Sequence, residues 1–325
     1  MKIKSVCGVE TPRLIRTALI KDKPGPYCMS FGFEPDVLTE SIKRIGLINP
    51  LIITNGDDNR YIVVAGYRRL MALKYLNIHD VYCIDLSESG MSSLELLLLN
   101  LYDNLTTRLF NDVEKGMILS RLSEYVSQKI IIKEFMPLLK ISRNNNLDLY
   151  LEIDKLGNHI KYLLTNGNLS LRALKLMLGL DNESREALCY LIENIKPNLN
   201  YQCYFVEYLI DISQKENLHI RDILEEEPYK SILNDKQTNN PQKSKKLLKL
   251  FWTRKYPDLN NSIKQFNKSI AGLNLPDKIK IDHPPYFEAA DYKLELLFAN
   301  GNELLKNLEI LSKRKAELKG LKDPW

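Results

Sequence analysis

Along residues 36–46, Val37, Leu38, Ile42 and Ile45 recur on one helical face, with acids early, bases late and a glycine at the end. This spacing predicts a capped amphipathic helix. The period then shortens: residues 47–54 read as a strand, 55–59 as a turn, and 60–65 as the returning strand of a hairpin. That second strand runs through Gly66 into a helix opened by Arg68 and Arg69. A short strand at 81–86 and a strongly apolar helix at 92–101 follow, delivering Asp103, Asn104 and Arg108. Asn111 with Glu114 three residues on has the form of an N-cap and starts a helix over 111–126. Further helices are expected over 130–139, from Ser142 onward and over 258–273. Alternation at 278–282 and 292–298 predicts two strands, and a turn at 300–302 leads into a helix at 303–315. The class is α+β: an N-terminal α/β domain (1–110), a helical middle domain (111–228), a basic linker (229–245) and a small α+β C-terminal domain (246–325).

The arginine pair carries the most chemistry. A helix N-terminus holds about half a positive charge on its unpaired N–H groups, so each cation placed there loses roughly 0.3–1 kcal/mol unless an anion lies between them. Phosphate fits that requirement. A surface arginine pair beside a backbone-required glycine is the plainer explanation. The exit of a predicted sheet is what favours the anion.

Charge is uneven along the 325 residues: +1 over 1–110, −4 over 111–228 and +8 over 229–325. The five cysteines, at 7, 28, 83, 189 and 203, have no Cys-x-x-Cys spacing, and the four histidines, at 79, 159, 219 and 283, are scattered. Zinc and His-based catalysis have little support in that pattern. The N-terminus lacks the apolar run of a signal peptide. The most apolar stretch, 94–101, is far shorter than the ~20 residues of a membrane span, so a cytoplasmic protein with no membrane partner is expected.

Three boxes in order resemble the ParB-like domain of chromosome and plasmid partition proteins, here of a divergent bacterial subfamily. Gly46-Leu47-Ile48-Asn49-Pro50-Leu51-Ile52 is similar to the family's Gly-Leu-Ile-Gln-Pro strand. Ala65-Gly66-Tyr67-Arg68-Arg69-Leu70-Met71-Ala72 is similar to its Ala-Gly-Glu-Arg-Arg-x-x-Ala phosphate box, and Asp103-Asn104-Leu105-Thr106-Thr107-Arg108 to its Glu-Asn-Leu-x-Arg box. The resemblance implies a ParB/sulfiredoxin fold that binds CTP or another nucleotide with Mg and closes a dimeric clamp on DNA. It assigns the nucleotide to Asn49, Gly66, Arg68, Arg69, Asn104 and Arg108, and the metal to Asp103 and Asn104. Tyr67 stands where the family has a glutamate, which favours binding over hydrolysis. The sulfiredoxin reaction needs a cysteine in this glycine box, and none is there. An enzyme on the same fold, a nucleotide-dependent kinase or a metal-dependent nuclease, is the alternative.

Likeness to the family extends to about residue 195. Ile141-Ser142-Arg143 resembles the opening of a helix-turn-helix recognition helix, and Asn168-Leu169-Ser170 the segment that follows. Arg143, Asn144 and Asn145 are the candidate DNA readers there, since asparagine can pair with adenine in the major groove. The acidic middle domain works against phosphate contact, so the basic tail supplies a second set: Lys243, Lys245, Lys246, Arg254 and Lys255. A solvated helix face whose aromatics turn inward is the plainer explanation of these cations. Pro284-Pro285-Tyr286-Phe287-Glu288 resembles the tail of one ParB-like subfamily. DNA is the implied partner, placing the protein at the nucleoid, with a homodimer and a partition ATPase as further partners of the family.

Overall fold

The computed structural model describes residues 11–34, 36–141, 147–284 and 291–321. The chain packs into two compact units, Met1–Cys203 and Tyr204–Trp325.

In the first unit a four-stranded sheet has the order β1-β4-β2-β3, from β1 (Arg13–Arg16), β2 (Leu51–Asn55), β3 (Tyr61–Ala65) and β4 (Asp80–Asp85). Strands β2 and β3 form the expected antiparallel hairpin, with Ile53 opposite Val63. β4 joins β2 in parallel, with Leu51 opposite Cys83. The turn between the hairpin strands takes Asp58 and Asn59 to φ 61° and 53°, a region that Asp and Asn tolerate better than most residues. Helices α1 (Asp36–Ile45) and α2 (Tyr67–Tyr75) cover the sheet. Ile42, Leu70 and Leu73 meet Leu51, Ile53, Val63 and Val81 in one buried cluster.

The strand expected over 47–54 starts only at Leu51. Pro50 has no N–H to give a ladder. The carbonyls of Asn49 and Pro50 instead accept hydrogen bonds from the Arg69 guanidinium, at 2.8 and 2.9 Å.

Helices α3 (Ser93–Leu105) and α4 (Asp112–Ser123) both open on complete capping boxes, Ser92 with Glu95 and Asn111 with Glu114. The expected helix at 130–139 is α5 (Gln128–Ile130) and α6 (Met136–Leu138) joined by a π turn over Ile131–Phe135. Next come α7 (Leu147–Lys155), α8 (Asn158–Thr165), α9 (Leu171–Met177) and α10 (Asn182–Ile195). Gly116 lets α4 lie directly on α7, because a Cβ there would come within 2.7 Å of the Tyr150 carbonyl. Helix α11 (Leu199–Glu216) spans the boundary between the units.

The second unit holds α12 (Ile220–Glu225), α13 (Tyr229–Asn234), α14 (Asn240–Lys255) and α15 (Pro257–Gly272). An antiparallel hairpin of β5 (Ile279–Asp282) and β6 (Lys293–Leu296) follows, then α16 (Gly301–Lys313) and α17 (Lys315–Leu318). The run expected as a linker over 229–245 is largely helical, with α13 at its start and α14 beginning at Asn240. Asn239 accepts from the Gln242 N–H and Pro241 sits in the first turn; an Asn-Pro pair that reads as a breaker is also a helix start. Among the described residues no helix is long and apolar enough to cross a membrane.

His159 ties α8 to α10, with Nδ1 2.7 Å from Glu186 and Nε2 3.0 Å from Glu193. Burial lowers its pKa, but the hydrogen bonds and charges of Glu186 and Glu193 together outweigh burial and hold it above the ordinary value. This stabilisation is present below about pH 6.5, the unfolded value, and is lost as pH rises through the folded one. The melting temperature is expected to fall between about pH 6 and 8, with a shallower slope in His159→Gln, as read by thermal denaturation across that range.

Candidate functional site

A cleft of about 510 Å³ opens where the start of α2, the end of α3 and the lead-in to β2 converge. Asn49, Gly66, Arg68, Arg69, Asp103, Asn104 and Arg108 all line it. Residues spread over 60 positions of sequence are thus brought to one place, and the fold accounts for each.

Gly66 takes φ 103° and caps α2 without a side chain. A Cβ there would lie 2.9 Å from Leu51 Cδ2 and 3.0 Å from Nε and Nη2 of Arg69. The first turn of α2 contains no acid, so its N–H groups and both arginines present positive charge together. Arg69 anchors through Nη1 to the lead-in carbonyls. Arg68 lies 5.1 Å from the centroid of the Phe33 ring, and its Nε is buried with no hydrogen-bond partner among the described residues. A buried donor left unsatisfied costs of order 1–3 kcal/mol. Burial lowers the pKa of the Arg69 and Arg108 guanidinium groups, opposed by the nearby acids Asp103 and Glu114 respectively.

Glu114 binds the cluster together, a role that sequence reasoning missed. Its carboxylate is 1% exposed. Oε1 accepts from Arg68 Nη2 and Arg108 Nη1, each at 2.7 Å, and from Phe31 N at 3.2 Å. Oε2 accepts from Arg108 Nη1 at 2.7 Å and Asn111 N at 3.1 Å. At the third helical position its carboxylate closes a capping box, and nothing in the local pattern points to Arg68, 46 residues away. Arg108 is further held by Asn104 Oδ1 at 2.8 Å and the Met29 carbonyl at 2.9 Å.

Asp103 is exposed at the cleft, whereas Asn104 Oδ1 already receives Arg108. Among the described residues no group of three or more His, Cys, Asp and Glu side chains could hold a metal ion. One carboxylate beside a phosphate-sized cleft nevertheless fits magnesium, which keeps several waters and takes one or two protein oxygens with substrate phosphates. Asp103 would hold it, with Asn104 alongside. Tyr67 turns its hydroxyl out to the Asp22 carbonyl at 2.9 Å.

The DNA candidates fare differently. Arg143, Asn144 and Asn145 lie outside the described residues, as does most of the Pro-Pro-Tyr-Phe-Glu segment. Three of the five tail cations already have partners within the chain. Lys243 is buried and donates to the Leu233 carbonyl at 2.8 Å. Arg254 is paired with Glu216 and, at 2.7 Å, with Glu226, and Lys255 with Asp211. Acids on neighbouring helices take up these charges, and a sequence window over the tail alone does not include them. Lys245 and Lys246 remain exposed on α14.

The first unit thus carries an arginine-lined cleft at the start of a helix, at the edge of a small mixed sheet. Residues 34–99 match the family model described as the ParB N-terminal domain. It is 27% identical over 171 residues to the probable chromosome-partitioning protein ParB of Campylobacter jejuni, covering 51% of this chain and 58% of that protein. The Pseudomonas putida counterpart is 25% identical over 166 residues, covering 50% and 55%. The chain thus spans a little over half the length of these relatives. Among solved structures it is similar to the C-terminally truncated ParB of Caulobacter crescentus complexed with CTP-gamma-S, at TM-score 0.27 and 19% identity, covering 56% of this chain and 99% of that one. The same protein complexed to the centromeric parS site gives TM-score 0.30 and 15% identity, covering 60% and 98%.

Gly66→Ala is expected to lower stability by about 1–3 kcal/mol, the range for a strained backbone position, and to displace the Arg69 side chain. Denaturant melts with a matched Gly46→Ala control provide the measurement; Gly46 also has positive φ but an added Cβ there meets nothing within 4 Å.

Proposed function

We propose that this chain is a ParB-type partition or transcription-regulating protein whose first unit binds a nucleoside triphosphate as a switch. The observation that carries the reading is the convergence of Arg68, Arg69, Arg108 and the uncapped start of α2 on one cleft, with Asp103 at the same opening. CTP is the nucleotide that the ParB likeness favours. The triphosphate would lie along the arginines and the α2 N-terminus, Asn49 would line the base or ribose side, and Asp103 with Asn104 would hold Mg. A bound magnesium ion would neutralise phosphate charge.

Binding is favoured over turnover by the state of the carboxylates. Glu114, the buried acid beside the cleft, is saturated by two guanidinium groups and two backbone N–H groups, so it is not free to act as a general base. Tyr67 supplies no carboxylate in its place. DNA is the macromolecular partner in this reading, with a second copy of the chain and a partition ATPase implied by the same family and a cytoplasmic, nucleoid-associated location.

With Mg present, CTP is expected to raise the melting temperature more than ATP, GTP or UTP. A ligand at 100 times its Kd adds about 2.7 kcal/mol, and Arg69→Ala should abolish the shift. No shift with any of the four triphosphates would overturn the site. DNA contact through the tail predicts that replacing Lys245 and Lys246 by Gln weakens heparin retention. Each lost phosphate contact should reduce the slope of log affinity against log salt by about 0.9. An unchanged elution profile would place the contact elsewhere.

A further inference from the structure

A buried carboxylate lies behind the arginines of the cleft. Glu114 satisfies the two arginines that a polyphosphate would need, and the same carboxylate accepts the N–H of Phe31. Asn111, which caps the same helix, donates through Nδ2 to the Phe31 carbonyl at 3.1 Å. Both polar groups of the Phe31 backbone are therefore fastened to the start of α4. Beyond them the segment is keyed into α8: the Phe31 and Tyr162 rings lie 4.9 Å apart, and Gly32, at φ 61°, passes so close that a Cβ would sit 2.5 Å from Thr165 Cγ2. Arg108 reaches the same segment from the cleft side, through the Met29 carbonyl and Ser30 Oγ.

From this arrangement we infer that Glu114 is an internal competitor for the ligand's phosphates, and that its displacement transmits occupancy of the cleft to α8 through residues 29–33. The inference rests on the nucleotide-site reading above and assigns that site its built-in trigger. Phosphate oxygens that draw Arg68 and Arg108 toward the cleft strip the counter-charge from a carboxylate with almost no access to water. A buried anion that loses its partners is strongly disfavoured. Glu114 therefore moves, and the Phe31 N–H that it holds moves with it. Because Phe31 and Gly32 fit tightly against Tyr162 and Thr165, a shift of the segment cannot leave α8 undisturbed. Glu114 is a positioning residue here; it acts on the ligand only through the arginines.

The sign of one substitution separates this role from a purely structural one. If Glu114 merely holds the arginines in place, Glu114→Gln weakens anion binding; if it competes, the variant binds more tightly. The full chain and Glu114→Gln would be titrated calorimetrically with inorganic tripolyphosphate and with CTP, each with Mg, and hydrogen exchange followed over residues 29–33 and α8. The expected result is tripolyphosphate binding at least tenfold tighter in the variant. Exchange over 29–33 should rise on binding in the wild type and be already raised in the unliganded variant. Equal or weaker binding by a cooperatively melting variant would overturn the inference, as would wild-type exchange that does not respond to bound ligand. Should Glu114→Gln fail to fold, Tyr162→Ala decides. Its affinity should stay within twofold of wild type while α8 stops responding and 29–33 continues to respond; a persistent α8 response overturns the inference. Absence of binding by the wild type would overturn the nucleotide site itself, and the competitor role with it.

Discussion

One buried carboxylate organises this cleft. Glu114 sits where Arg68 from α2 and Arg108 from the loop after α3 would otherwise repel each other, and it closes the first turn of α4 at the same time. Removing one partner of such a buried pair typically costs about 3–5 kcal/mol, because the remaining charge is left without solvent or counter-ion. The pairing joins α2 to the loop and helix that follow α3, 46 residues away at Arg68 but only six at Arg108. Their charge is only partly cancelled, since one carboxylate faces two guanidinium groups.

Around that pairing the structure assigns unlike tasks to similar residues. Arg69 leans on the carbonyls of Asn49 and Pro50, which are available because Pro50 cannot extend the ladder. Arg108 is fixed by Asn104 and the Met29 carbonyl. Arg68 pairs through Nη2 with Glu114, while its Nε has no hydrogen-bond partner among the described residues. All three arginines are thus held in place by groups of the protein itself. The ParB N-terminal domain match over 34–99 includes Gly66, Arg68 and Arg69 but stops short of Arg108 and Glu114.

Much of the fold was legible in the chain. The hairpin, the cap at Asn111 and most elements between residues 36 and 126 follow from periodicity and local chemistry that act within a few residues, whereas the edge strand β1 and the π turn at Ile131–Phe135 were not among the expected elements. The seven cleft residues were also readable, although through family likeness more than through spacing. Tail cations were the least legible. Lys243, Arg254 and Lys255 look like a basic patch in sequence, and the acids and carbonyl that absorb them belong to other helices. Charge counted along a chain does not record which acids fold against it.

By itself the sequence determined the local elements and the presence of two helix-starting arginines in need of an anion, because hydrogen-bond periodicity, capping and the helix dipole are short-range effects. Only the tertiary structure decided what meets each of them: the Asn49 and Pro50 carbonyls for Arg69, and the Glu114 carboxylate for Arg68. Glu114 is a capping residue in the sequence and a counter-charge in the fold, and a carboxylate can serve both roles because its two oxygens together offer about four acceptor sites. That second partnership spans 46 residues to Arg68, beyond the reach of any local pattern.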